Sequence, residues 1–346
     1  MDNLTELYCH IDDFYQQFKP EFEKQLIENG RKRLRACKIS VPEIMTILVL
    51  FHQLRYRQFK GFYYHHMLGM MKEYFPNLPS YSRFIELIPR SIMPLCVYLK
   101  SLMGHCTGIS FIDATKLSVC HNKRIKRHKV FKGIAERGKT SMGWFYGFKL
   151  HAVINHHGEL LVIRVTRGNI DDRVPLKQGM ADDLFGKLFG DKGYVSQELK
   201  ETLLEDDIDF MTKLRKNMKK QTLDPFDEGL LNQRSLIETV FDELKNLCQI
   251  EHSRHRSVSD IDFMTKLRKN MKKQTLDPFD EGLLNQRSLI ETVFDELKNL
   301  CQIEHSRHRS VSGFAANLLA GLVAYCWFPL KPSLKNVSAY RQVAKT

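Results

Sequence analysis

Residues Asp207–Ser259 recur letter for letter as Asp260–Ser312, a period of 53. A solenoid would show three or more drifted copies with atypical ends. Here there are two copies and no drift. The pattern reads as a recent in-frame duplication, or an assembly error, laid over a shorter parent. Removing 53 of the 346 residues leaves a parent of 293. The fold must therefore be encoded with one copy, and the other is surplus.

A chain of this length allows two domains. Apolar residues make up 43% of it, enough for real cores. Lys and Arg number 53 against 40 Asp and Glu, a net charge of +13. Each copy of the repeat carries nine of either sign, so the excess belongs to the parent. Such an excess points to a polyanionic partner, of which nucleic acid is the commonest. The eight cysteines (Cys9, Cys37, Cys96, Cys106, Cys120, Cys248, Cys301 and Cys326) form no CxxC or Cys/His ligand spacing. That argues against zinc and fits a reducing cytoplasm. The acidic start, Met1-Asp-Asn-Leu-Thr-Glu-Leu7, lacks the apolar stretch of a signal peptide. Phe314–Leu330 is the most apolar window, but it contains Asn317 and falls short of the ~20 residues of a membrane span. It reads as a buried C-terminal helix.

Residues 1–107 read as an all-helical, DNA-binding domain. Ser40-Val-Pro-Glu43 is a capping-box pattern, and Ser80 is placed to cap a second helix. Basic groups cluster at Arg31–Lys38, Arg55–Lys60, Arg83 and Arg90. Short basic helices with breaks are compatible with a helix-turn-helix, and equally with a plain bundle whose Lys and Arg are solvated.

Residues 108–346 change periodicity and read as an α/β catalytic domain. Gly108-Ile-Ser-Phe-Ile-Asp-Ala-Thr-Lys-Leu117 is a buried strand with one carboxylate, Asp113, in its middle. Leu188-Phe-Gly-Asp-Lys-Gly-Tyr194 repeats the layout around Asp191. A buried carboxylate needs a partner, and a divalent cation is one. Between these strands lies the basic run Lys123, Arg124, Lys126, Arg127 and Lys129, extended by Lys132, Arg137 and Lys139. It can hold DNA phosphates, or simply be a solvated loop. Residues 144–155 and 159–165 read as an antiparallel pair joined by a His156-His157-Gly158 turn. Asp171 and Asp172 are placed to cap a short helix. A helix near Gln197–Leu204, a strand at Ile208–Leu214 and a helix near Asn232–Leu247 complete the order. Three strands, helix, strand, helix, strand, helix is the order of an RNase H-like mixed sheet.

On the last helix Arg234, Glu238 and Lys245 fall at i, i+4 and i+11, on roughly one face. A carboxylate between two cations suits metal binding beside a phosphate. Taken alone it is an ordinary surface pair worth ~0.3–0.5 kcal/mol.

Together these residues resemble the DDE transposases of bacterial insertion sequences, most closely the IS982 family, related to the IS4 and IS5 groups. The carrying features are Phe111-Ile-Asp-Ala-Thr115, Gly147-Phe-Lys-Leu-His-Ala-Val-Ile-Asn155, Gly190-Asp-Lys-Gly-Tyr194, Arg234-x3-Glu238-x6-Lys245, and Phe75-Pro-Asn-Leu-Pro-Ser-Tyr81. Leu231 stands where the IS4-type signature has tyrosine. The resemblance implies that Asp113, Asp191 and Glu238 bind two Mg²⁺ ions, with Mn²⁺ as a substitute, while Arg234 and Lys245 neutralise phosphate. It implies hydrolysis at the element ends, followed by attack of the 3′-OH on target DNA. The partners would be double-stranded DNA with terminal inverted repeats and a second copy of the chain, in a bacterial cytoplasm at the nucleoid, with no membrane. Lys123–Lys129 and Lys149 are candidate DNA contacts. Glu291 is the twin of Glu238, and only one of them can complete one site. Glu238 is preferred because its connection from the Asp191 strand is the shorter. Other expectations are a catalytically dead DNA-binding remnant and another RNase H-like nuclease.

Overall fold

A computed structural model describes residues 2–28, 36–140, 143–212, 237, 240–241 and 310–333. Among the described residues before Met103 all regular structure is helical. Helix α1 (Asp2–Glu28) is followed by α2 (Val41–Gln53), which opens on the expected capping box. The Glu43 amide donates to Ser40 Oγ at 3.2 Å, and the Ser40 amide to Glu43 Oε2 at 2.6 Å. Two orphan donors of the first turn are thereby satisfied. A single turn, α3 (Phe59–Gly61), runs into a π-helical stretch over Phe62–Met70. Ser80 caps α4 (Tyr81–Leu87), and a 3₁₀ turn joins this to α5 (Ile92–Leu102).

From Ile109 the chain builds a six-stranded mixed sheet. The strands are β1 (Ile109–Cys120), β2 (Glu136–Thr140), β3 (Gly143–Asn155), β4 (Leu160–Arg167), β5 (Gly186–Gly190) and β6 (Ile208–Thr212). β3 is the hub. It pairs antiparallel with β1 on one edge, and with β2 and β4 end to end on the other. β5 then pairs parallel with β1, and β6 parallel with β5. Helix α6 (Gln197–Glu205) makes the β5–β6 crossover. Strand β2 takes in Arg137 and Lys139, which the sequence reading treats as an extension of the basic run without assigning a strand. Glu-Arg-Gly-Lys-Thr has no apolar alternation, and its partner strand alone draws it into the sheet.

Alternation along the strands gives the sheet two apolar faces. Ile109, Phe111, Leu117, Leu150, Ile154 and Phe189 join a core shared with the N-terminal helices and with α7 (Val311–Cys326). Ile112, Val153, Leu188 and Phe210 join a second core with Leu199 and Leu203 of α6. Phe314 fastens α7 to the first face, stacking on Phe148 at 5.3 Å and meeting Phe131 edge-on at 5.4 Å. α7 also packs against α2 and α5. Among the described residues no helix is long and apolar enough to cross a membrane.

The two copies of the repeat contribute different pieces. The first supplies β6 and the buried helical residues Ile237, Val240 and Phe241. The second supplies Ser310, whose side chain caps α7 by accepting from the Gly313 amide at 3.0 Å.

Candidate functional site

Asp113 stands midway along β1, opposite Ala152 of β3, and is half-buried. The amide of Ala114 donates to its Oδ1 at 2.8 Å, which fixes the carboxylate against its own backbone. Asp191 is the first residue beyond β5 and opens a 3₁₀ turn in which the Tyr194 amide donates to the Asp191 carbonyl at 3.0 Å. β1 and β5 run parallel with Ile109, Ser110 and Phe111 beside Lys187, Leu188 and Phe189. Two residues further along each strand come Asp113 and Asp191. The β1–β5 pairing itself ends at Phe111 and Phe189, and the two aspartates follow just past it, Asp191 outside the strand. Gly190 makes room on the opposite face, where a Cβ would meet Phe210 ring carbons at 3.1 Å and Ile112 Cγ2 at 3.3 Å.

The face is set by the preceding aromatic pair. Phe111 and Phe189 are fully buried and stack at 5.5 Å. Side chains two residues apart on a strand share a face. Asp113 thus lies on the face that carries the larger core, and Asp191 follows Phe189 just beyond the end of β5. Ile237, Val240 and Phe241 are buried in that same core. Glu238, together with Arg234, Lys245 and the twin Glu291, lies outside the described residues. Among the described residues no three His, Cys, Asp or Glu side chains converge on one point.

The expected DNA contacts divide. Lys123, Arg124, Lys126 and Arg127 form a 3₁₀ helix (Asn122–Arg127) and are exposed, as is Lys129. Lys149 is different. Only 12% of its side chain is exposed, and its Nζ donates to Asp172 Oδ1 and to the Ile170 carbonyl, both at 2.8 Å. A lysine so engaged ties β3 to the 170–172 loop and is poorly placed to meet a phosphate. Asp172 is thus a partner for Lys149 rather than a helix cap. Asp171 accepts from the Arg173 amide at 2.9 Å and from its guanidinium at 2.8 Å, ahead of a helical turn whose N-cap position is Pro175, so it is not the expected cap either. The Arg173 hydrogen bonds hold the Asp171 carboxyl at about 2.

One buried group escaped the sequence reading. His151 is fully buried on β3, beside Lys149 and Asp172, with Nε2 2.8 Å from Thr166 Oγ1. Its Nδ1 has no hydrogen-bond partner among the described residues. Burial pushes its pKa down to about 4, against a weaker opposing pull from Asp172. Strand alternation carries the signal. Lys149, His151 and Val153 share one face of β3, and two polar residues there require buried partners.

The family model described as the transposase DDE domain matches residues 103–258 and, a second time, 257–311. Together the spans cover more than half of the chain. The chain belongs to this transposase family. The second span covers most of the second copy of the repeat. No curated protein and no solved structure matches the chain. Family membership makes this a transposase-type protein with DNA as its substrate class.

Proposed function

We propose that this transposase moves a bacterial insertion sequence of the IS982 type. It would cut a phosphodiester at each element end and join the freed 3′-OH to target DNA, as a dimer on paired ends. What supports this reading is that Asp113 and Asp191 each follow by two residues the stacked Phe111–Phe189 pair on neighbouring parallel strands. The strand order supports it: β4, β3 and β1 antiparallel, then β5 and β6 parallel, is the arrangement expected of an RNase H-like domain.

Two carboxylates on neighbouring strands are a hard oxygen donor set that suits Mg²⁺. Asp113 and Asp191 would hold the metal, with Glu238 as the third ligand. The burial of Ile237, Val240 and Phe241 in the larger core supports that choice. Bound Mg²⁺ would supply Lewis-acid activation of the attacking oxygen and charge neutralisation at the leaving oxygen. The protein's own contribution is positional. The Ala114 amide holds the Asp113 carboxylate in place, and the 3₁₀ turn after β5 fixes the backbone at Asp191. The exposed cations of 123–129 would take DNA phosphates, and Arg234 and Lys245 would flank the scissile one.

The 53-residue repeat favours a second reading, a copy that binds element ends without joining them. Mg²⁺-dependent cleavage of DNA carrying the terminal inverted repeats separates the two. Cleavage lost in Asp113→Asn and Asp191→Asn supports the enzyme. Binding without cleavage by the native chain supports the remnant.

A further inference from the structure

The β2–β3 ribbon carries an aromatic group where a soluble protein gains nothing from one. Trp144, on β3 opposite Lys139 of β2, is 58% exposed. Tryptophan is ordinarily well buried, so an indole left in water calls for a partner. Lys139 Nζ sits over the ring, 5.7 Å from its centroid. Asn122 Nδ2 donates to the Trp144 carbonyl at 2.6 Å and so ties the basic 3₁₀ helix to the ribbon.

The surroundings have one charge. Between His121 and Trp144 the chain has eight cations, Lys123, Arg124, Lys126, Arg127, Lys129, Lys132, Arg137 and Lys139, and one acid, Glu136. All eight cations are exposed, and none enters a salt bridge among the described residues. Ala152, the neighbour of Asp113, lies eight residues along β3 from Trp144. At about 3.3 Å per residue that is roughly 26 Å. The ribbon is thus a separate surface from the paired aspartates.

We propose that the ribbon is a binding site for unpaired DNA, with a base stacked on Trp144 and the flanking phosphates held by Lys139, Arg137 and the 123–129 cations. An exposed aromatic within a basic groove is how proteins grip single strands, because every base offers a stacking face and the backbone supplies the charge. A duplex closes its bases to the indole and would contact the cations alone. The proposal deepens the transposase reading by assigning the site a preference for DNA that is unpaired.

The test uses the full chain without divalent metal, so that no cleavage occurs. The protein has two tryptophans, and Trp327 donates from Nε1 to Tyr98 Oη at 3.1 Å. Trp327→Phe leaves Trp144 as the only indole reporter. A mixed-sequence single-stranded DNA should quench its emission, and a blunt duplex of the same sequence should not. In the native background, Trp144→Ala should weaken single-strand binding about tenfold. Duplex binding should stay within twofold and Trp144→Phe should largely restore the affinity. Should Trp327→Phe fail to fold, these affinity arms decide alone. Equal loss on both DNA forms, no loss on either, or tighter binding of single-stranded RNA than of DNA overturns the proposal. Quenching by a chain that never cleaves DNA would sink the enzyme reading and leave this one standing. Cleavage without quenching would do the reverse.

Discussion

Phe111 and Phe189 stack at 5.5 Å on adjacent parallel strands, and each stands two residues ahead of an aspartate. The buried ring pair locks the register, because a one-residue slip would throw one ring to the opposite face. The proposed carboxylate pair depends on that register. Replacing Asp113 or Asp191 with Asn should therefore abolish cleavage, by at least a hundredfold, with the melting temperature little changed. Phe189→Ala should act differently. It opens a cavity costing about 3–5 kcal/mol and should loosen the pair. Thermal melts beside cleavage rates distinguish the two classes of variant.

The salt dependence of DNA binding should separate the cations. Arg124 and Lys126 are exposed on the 3₁₀ helix. Changing both to Ala should reduce the slope of log K against log salt by about 2. Lys149 is held by Asp172 and the Ile170 carbonyl. Lys149→Met should lower stability and leave that slope unchanged. A slope that also falls by about 1 would return Lys149 to the DNA surface.

Much of this architecture could be read from residue pattern, and the exceptions share a cause. The Ser40–Glu43 box, the alternation of β1, β3 and β4, and helix α6 are local signals, and each element formed where its pattern lies. The two aspartates were legible as a repeated layout, but their register was not, since parallel pairing depends on a crossover. β2 was missed because pairing with β3 makes it a strand, without help from its own side chains. Lys149–Asp172 and the burial of His151 were missed for a related reason. They concern a polar row facing inward, and a polar residue does not announce its partner.

His151 gives the chain an acid-labile point. Its pKa is lowered to about 4 by burial, against an ordinary 6.5. Above pH 6.5 it is neutral folded or unfolded and has no effect. As pH falls from 6.5 to about 4, the unfolded chain takes up a proton that the folded one refuses, so stability declines. Below about 4 both forms are charged and the loss levels off. The full loss is roughly 3 kcal/mol. Melting temperatures across pH 4–7 should fall in the native protein, and Asp172, Lys149 and Arg164 are the charges that modulate the midpoint. His151→Gln should flatten that part of the curve. A parallel decline in both proteins would assign the effect elsewhere.

The β3–β4 turn meets the chain that follows α7. Gly158 has φ +74°, and a Cβ there would clash with the Pro332 carbonyl oxygen. Tyr325 Oη donates to the Gly158 carbonyl at 2.7 Å in a buried position. Gly158→Ala combines left-handed strain with a backbone clash and should cost roughly 2 kcal/mol or more. That is a drop of about 5 °C in melting temperature. Tyr325→Phe removes one buried hydrogen bond and should cost about 1 kcal/mol. The two losses should be less than additive, because the variants disturb one contact.

The repeat sets the last expectation. β6 and the buried Ile237, Val240 and Phe241 come from the first copy, and the α7 cap Ser310 comes from the second. Deleting residues 260–312 joins Ser257-Val-Ser259 directly to Gly313, which recreates the sequence now found at Ser310-Val-Ser312. Every described element keeps its residues or an identical twin. The shortened chain should therefore fold, lose a competitor for the slot that Ile237 fills, and show higher strand-transfer activity. In the native chain Glu238→Gln should abolish cleavage, while Glu291→Gln should leave it within about twofold, because Ile237, Val240 and Phe241 of the first copy already fill the core. If each single variant stays active and only the double variant is dead, the two copies exchange in one slot. If strand transfer is the same before and after the deletion, the second copy is a neutral insertion and the impaired-enzyme reading fails.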